Sequence, residues 1–243
     1  VAVTGVPVRD AATVMLVRDG AAGLEVFMVR RSLRLVFAGG AHVFPGGAVE
    51  AVDENLEAWS VGRTDADASA TLGLARGGLA FWVAAVRECF EEAGFLLAVD
   101  ADGDLVRLDA PATAERFSQH RRAVASAQST LAEVCAAEGL RLAVDGMHYV
   151  SRWITPEGAP RRFDTRFFVC AAPERQTPLH DASETIAHEW VRPSDMLHRY
   201  TGGAVDLMLP TQRSLQWLQE RDSASAVLEA ASGAAPEGRY QRG

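Results

Sequence analysis

The sequence predicts one α+β domain with helical insertions. Three observations lead there: an N-terminal pair of apolar runs joined by turn residues, one strongly amphipathic helix near the middle, and a later group of strand-like runs followed by helices. The composition agrees, since 243 residues with 48% hydrophobic and 23% charged side chains describe an ordered globular chain. The longest apolar stretch, residues 79–86, stops at Arg87. It is too short to cross a bilayer, so no membrane partner is expected.

Taken in order, Val14, Met15, Leu16 and Val17 mark a strand over residues 11–18, and a second strand over 24–30 follows the Asp19-Gly20 turn to make a hairpin. Residues 31–47 read as a loop containing Gly39-Gly40 and Phe44-Pro45-Gly46-Gly47. Residues 48–80 are small and acidic, with only a short helix at 55–60. A helix over 80–93 ends on Gly94, a natural residue just past a helix C-terminus. A strand at 95–99 comes next, then one long or two short helices over 113–138, bounded by Pro111 and Gly139. Strands at 147–154, 162–170 and 186–191 and helices at 193–200 and 211–220 complete the pattern. The expected organisation is a single domain over 1–228, insertions at about 54–80 and 111–140, and a flexible tail from 229 to 243.

Charge and cysteine usage narrow the function. The chain carries 24 basic and 32 acidic residues, a net charge of −8, and every basic residue is arginine. Such a field repels polyanions, so nucleic acid is not an expected partner. A small phosphorylated ligand stays compatible, because a bound divalent cation reverses the local sign. Without lysine there is no Schiff-base chemistry and no P-loop. Cys89, Cys135 and Cys170 are odd in number and far apart, which excludes a disulfide framework and suits a reducing, cytoplasmic location.

The informative segment runs from Ala80 to Gly94. Wound as a helix, it places Trp82, Val83, Val86, Cys89, Phe90 and Ala93 on one side and Glu88, Glu91 and Glu92 on the other. Three carboxylates at i, i+3 and i+4 repel one another, and near a helix C-terminus they also oppose the macrodipole. Arg87 offsets only part of this. One reading is a solvated acidic face; the other is a site for a hard cation such as Mg²⁺ or Mn²⁺.

Residues 87–95, Arg-Glu-Cys-Phe-Glu-Glu-Ala-Gly-Phe, together with Phe44-Pro45-Gly46-Gly47, resemble the Nudix hydrolase signature: Gly, five residues, Glu, seven residues, then Arg-Glu-U-x-Glu-Glu-x-Gly-U with U bulky and apolar. Gly47 takes the first glycine, and Asp53 stands where the family has glutamate. Between Asp53 and Arg87 lie 33 residues, so a 26-residue insertion interrupts the box. An enlarged box is a feature of the animal peroxisomal type and its bacterial relatives that act on coenzyme A diphosphates. Arg31-Ser32, Gly40 and Phe44-Pro45-Gly46-Gly47 also follow the coenzyme A-associated motif of that subgroup, although Val36 stands in for its second arginine, with Arg34 as a substitute.

The resemblance implies an α/β/α sandwich with a mixed β-sheet and a metal-dependent hydrolase. The substrate would be a nucleoside diphosphate linked to another moiety, with coenzyme A or acyl-coenzyme A favoured. ADP-ribose, NADH or nucleotide sugars are the alternative substrates, and a non-catalytic nucleotide-sensing module is the alternative class. Glu88, Glu91, Glu92 and a Gly46 carbonyl would hold Mg²⁺ or Mn²⁺, with Gly46 and Gly47 allowing close backbone approach. Arg87 would brace the loop through carboxylate and carbonyl partners. Asp53 would replace the box glutamate, with Glu50 and Glu54 as alternatives. The general base would be Glu184, followed by Asp181 and Glu189. Arg31 and Arg34 would bind phosphate, Phe163 and Phe167 would stack a base, and Trp59 would cap the site. His42, His148 and His188 carry no assigned chemistry. A homodimer through the insertions or tail is compatible, and the final Tyr240-Gln241-Arg242-Gly243 matches no peroxisomal address.

Overall fold

A computed structural model describes residues 5–31, 40–178, 185–233 and 240–242. β1 (Val8–Gly20) and β2 (Gly23–Arg31) form the expected hairpin, with Val17 opposite Val26 and Gly20 opposite Gly23. Beyond Val17 the two strands part. β3 (His42–Val43) then pairs with β2, and β4 (Gly46–Ala48) pairs with β1, placing Gly46 opposite Thr13 and Gly47 opposite Ala12. The segment expected as a plain loop therefore ends in two short strands, held by backbone hydrogen bonds that side-chain pattern does not report.

The enlarged box contains α1 (Asp65–Leu72) before the carboxylate helix α2 (Leu79–Ala93), which ends at Gly94 with φ 77° as expected. The α1 helix escapes a periodicity reading because it is built of small residues. Its local signal is the Thr64/Asp67 capping box. Only residues 98–99 of the strand expected at 95–99 are extended, as β5 (Ala98–Val99). Leu96 instead bonds the Gln176 side chain through both its N–H (2.8 Å) and its carbonyl (2.9 Å).

The 113–138 region is two helices, α3 (Pro111–Ala125) and α4 (Leu131–Glu138), broken where Ala127 takes φ 54°. β6 (Arg141–Leu142) pairs with β5 in a separate ribbon. β7 (His148–Ile154), β8 (Arg162–Ala171) and β9 (Thr185–Val191) follow, then α5 (Pro193–Thr201), α6 (Leu209–Leu218) and α7 (Ala224–Ser232). The boundary placed at 228 falls inside α7, which Ser223 caps and whose Val227 and Ala231 are buried. Residues of β10 (Tyr240–Arg242) pair in parallel with β7.

Among the described residues the main sheet has eight strands and is mixed: β1 runs parallel to β8, whereas β1–β2, β7–β8 and β2–β9 are antiparallel. Strand alternation covers both faces. Val14 and Leu16 of β1 join a core with α2, α3 and α4, while Met15 and Val17 join a second core with α5, α6 and α7. The result is the expected three-layer α/β/α arrangement. Among the described residues, no helix is long and apolar enough to cross a membrane.

Candidate active site

The two halves of the box, far apart in sequence, meet in space. The insertion leaves Asp53, forms α1 and returns to α2. Asp65 holds the return by accepting the Leu79 N–H (3.0 Å) and the Gly77 N–H (2.9 Å). Arg87 then reaches Asp53 with both ends of its guanidinium, Nε to Oδ1 at 2.8 Å and Nη2 to Oδ2 at 3.0 Å. Nη2 also donates to the Ala48 carbonyl (2.8 Å), and Nη1 donates to Glu88 (2.9 Å) and Glu91 (3.2 Å). The shorter Asp53 thus fills the position in which the family has glutamate. It is only 1% exposed and also accepts the Glu50 N–H. Glu50 does not take this place. Glu54 instead lines a cavity between the insertion and α2.

Electrostatics at this junction follow burial. Burial alone would lower the Arg87 guanidinium, but the Asp53 hydrogen bonds and the charges of Glu88, Asp53 and Glu91 outweigh it and raise it. Burial pushes the Glu88 carboxyl up to about 7 against the pull of Arg87. Glu91 is raised for the same reason.

Glu92 lies on the other flank and accepts the Gly46 N–H at 3.1 Å. Both glycines are required by close contact. A Cβ on Gly46 would lie 2.5 Å from the Ala12 carbonyl oxygen, and one on Gly47 would lie 2.3 Å from Glu88 Oε1. The β4 backbone therefore rests directly on the carboxylate helix.

Glu88 and Glu92 open into a polar cleft of about 280 Å³ floored by Gly46, Gly47 and Ala48. Arg9, Arg31 and Arg161 line the same cleft, a local basic group within an acidic chain. Arg31 Nε is buried and has no hydrogen-bond partner among the described residues. Arg9 and Arg161 carry no motif; the parallel β1–β8 register sets Arg9 beside Phe163, and Arg161 stands immediately before β8. The cleft continues into an apolar chamber of about 390 Å³ through shared walls that include Thr13, Arg31, Gly46 and Phe163.

The remaining expected residues divide clearly. Phe163 lies where cleft and chamber meet, whereas Phe167 belongs to the second core and lines only the chamber. Glu91 turns to Arg87 and does not line the cleft. Glu189 is engaged elsewhere, by Arg199 (2.7 Å) and His42 (3.2 Å). Trp59 packs on the first core, not over the cleft. Arg34, Asp181 and Glu184 lie outside the described residues.

Among the described residues, no three His, Cys, Asp or Glu side chains form a group able to hold a cation. Arg87 draws Glu88 and Glu91 to itself, while Glu92 accepts the Gly46 N–H. The donor chemistry still suits a hard divalent cation. Two carboxylates flank a glycine backbone, and the burial that raises Glu88 is a penalty that a nearby cation would relieve.

A carboxylate helix under a glycine-glycine strand, set on a mixed sheet covered on both faces, defines a Nudix hydrolase fold. The chain belongs to the NUDT19 Nudix domain family, which it matches over residues 66–216, more than half its length. It is 27% identical to the human acyl-coenzyme A diphosphatase NUDT19 over 90% of this chain and 66% of that protein. It is 29% identical to the Gallus gallus protein of the same name over 83% of this chain and 65% of that protein. The chain thus spans just under two thirds of these relatives. The crystal structure of a NUDIX hydrolase from Alicyclobacillus acidocaldarius superposes with a TM-score of 0.76 at 28% identity, covering 92% of this chain and 96% of that one.

Proposed function

We propose that this chain is a Mg²⁺- or Mn²⁺-dependent hydrolase that cleaves the diphosphate bond of coenzyme A or an acyl-coenzyme A. The observation that carries the reading is the polar cleft, whose lining combines Glu88 and Glu92 with Arg9, Arg31 and Arg161. Such a cleft accepts a dianionic diphosphate on its arginine side and a cation on its carboxylate side. The relatives named acyl-coenzyme A diphosphatase support the substrate assignment.

Glu88 and Glu92 would hold the cation, with Glu91 and the Gly46 carbonyl as further donors implied by the family pattern. When bound, the ion neutralises the diphosphate and makes a water molecule more acidic. Arg31 and Arg161 orient the phosphates for in-line attack, and Arg87 fixes the β4 backbone through Ala48 and Asp53. Glu184 accepts the proton of the attacking water. The three buried free cysteines suit a reducing compartment such as the cytoplasm.

The test is turnover of a diphosphate panel with Mg²⁺ or Mn²⁺ and product identification. Coenzyme A should yield 3′,5′-ADP and 4′-phosphopantetheine. Glu88→Gln and Glu92→Gln should each lower the rate by about 100-fold or more while the circular dichroism stays unchanged. Robust ADP-ribose cleavage with coenzyme A untouched would reverse the substrate ranking. No turnover of any diphosphate would leave a nucleotide-binding module instead.

A further inference from the structure

The apolar chamber beside the cleft has no part in diphosphate cleavage itself, and its lining is selective. Val43, Phe44, Trp153, Phe167, Met208 and Leu209 supply most of its wall. The polar side chains in its lining are those of Arg31 and four threonines, Thr13, Thr155, Thr165 and Thr211. Thr155 Oγ1 already uses one acceptor position on the Phe163 N–H (3.1 Å). The chamber opens directly onto the reacting region: Gly46 lies in both walls and donates its N–H to Glu92. A ligand whose diphosphate occupies the cleft therefore has this space directly beside it for one of its two arms.

We propose that the chamber receives the non-nucleoside arm of the substrate, and that it selects an arm whose first carbons beyond the phosphate ester are branched and apolar, as in the pantetheine arm of coenzyme A. The inference rests on the function proposed above and deepens it. The pantetheine arm carries a quaternary carbon with two methyl groups immediately next to its phosphate ester, which suits an aromatic and aliphatic wall. A second ribose or a hexose would carry several hydroxyls into a wall that offers few partners, and unsatisfied buried hydroxyls are costly. Adenine likewise presents ring nitrogens and an amino group to a wall that is mostly apolar. The nucleoside arm accordingly leaves in the other direction, past Arg9 and Arg161 on the polar side.

Dephospho-coenzyme A and ADP-ribose form a matched pair, because they share the ADP half and differ only in the other arm. Wild-type kcat/KM should favour dephospho-coenzyme A. Leu209, 46% exposed on the chamber rim at the first turn of α6, can be exchanged without opening the core. Leu209→Ser and Leu209→Trp should each reduce that preference by about tenfold, the first by removing apolar wall and the second by filling the chamber. Calorimetric titration with the product halves provides a readout independent of turnover. Affinity for 4′-phosphopantetheine should fall in both variants, while affinity for 3′,5′-ADP stays within twofold of wild type. A fall confined to 3′,5′-ADP would place the base in the chamber and overturn the inference. Unchanged affinity for both halves, with circular dichroism showing folded variants, would also overturn it. Failure of every diphosphate to react would instead count against the proposed hydrolase, while the titrations would still decide the chamber's occupant.

Discussion

Arg87 uses all five of its N–H directions, on Asp53, Ala48, Glu88 and Glu91, and is itself almost fully buried. Removing Asp53 would leave a buried cation short of its best partner. Asp53→Ala should therefore destabilise the fold by about 3 kcal/mol in urea unfolding, at the low end for a broken buried pair because the other acceptors remain. A loss below about 1 kcal/mol would show that the pair does not hold the box together. His42 gives a pH dependence. Burial lowers its pKa, with Arg199 and Arg30 acting in the same direction and Glu189 opposing. The neutral ring is thus favoured in the folded state, so its contribution is complete above 6.5, the ordinary value, and is lost as pH falls through and below it. Glu88, raised to about 7, acts in the opposite direction over the same range in both proteins, so the His42 contribution is read as a difference: on going from pH 7.5 to pH 5.5 the urea midpoint of His42→Gln should rise relative to that of wild type. An equal change in both proteins would remove His42 from the explanation. At this scale the sequence was most legible where function is written locally: residues 87–95 carry the whole carboxylate pattern within one helix. Arg9 and Arg161 were invisible because neither stands in any motif.

Helix α2 is held at both ends by the two insertions. Asp65 takes the Leu79 and Gly77 N–H groups at its start, and Arg121 of α3 donates to the Glu91 carbonyl (2.7 Å) at its end. These contacts complement the helix dipole where acidic side chains near the C-terminus work against it. The break in the box is thus part of the support for the helix that bears the carboxylates. The β4 strand above it makes a sharper prediction. On Gly47 an added methyl meets the movable end of Glu88, whereas on Gly46 it meets the β1 backbone at Ala12 and Thr13. Gly47→Ala should lower diphosphate turnover by tenfold or more with a melting temperature within about 2 °C of wild type. Gly46→Ala should lower the melting temperature by several degrees as the β1–β4 pairing is forced apart. The reverse pattern would mean that the glycine pair serves packing and not the carboxylate.

For the molecule as a whole, a cation that binds only the folded state must stabilise it. Mg²⁺ or Mn²⁺ at about 100 times its dissociation constant should add about 2.7 kcal/mol, read as a rise in melting temperature that a chelator reverses. Glu88→Gln and Glu92→Gln should abolish most of that rise. A wild-type melting temperature indifferent to either ion would remove the metal from the proposal. The sequence by itself determined the α+β class, the hairpin, the carboxylate helix and its Gly94 stop, because these depend on local periodicity and on residue types with strong backbone preferences. Only the tertiary structure decided that Asp53 closes onto Arg87 across the insertion, that Glu91 turns to Arg87 and away from the cleft, and that an apolar chamber adjoins the polar one. Those outcomes depend on strand register and on the return path of an inserted segment, and both are settled by contacts between residues that composition and spacing do not place side by side.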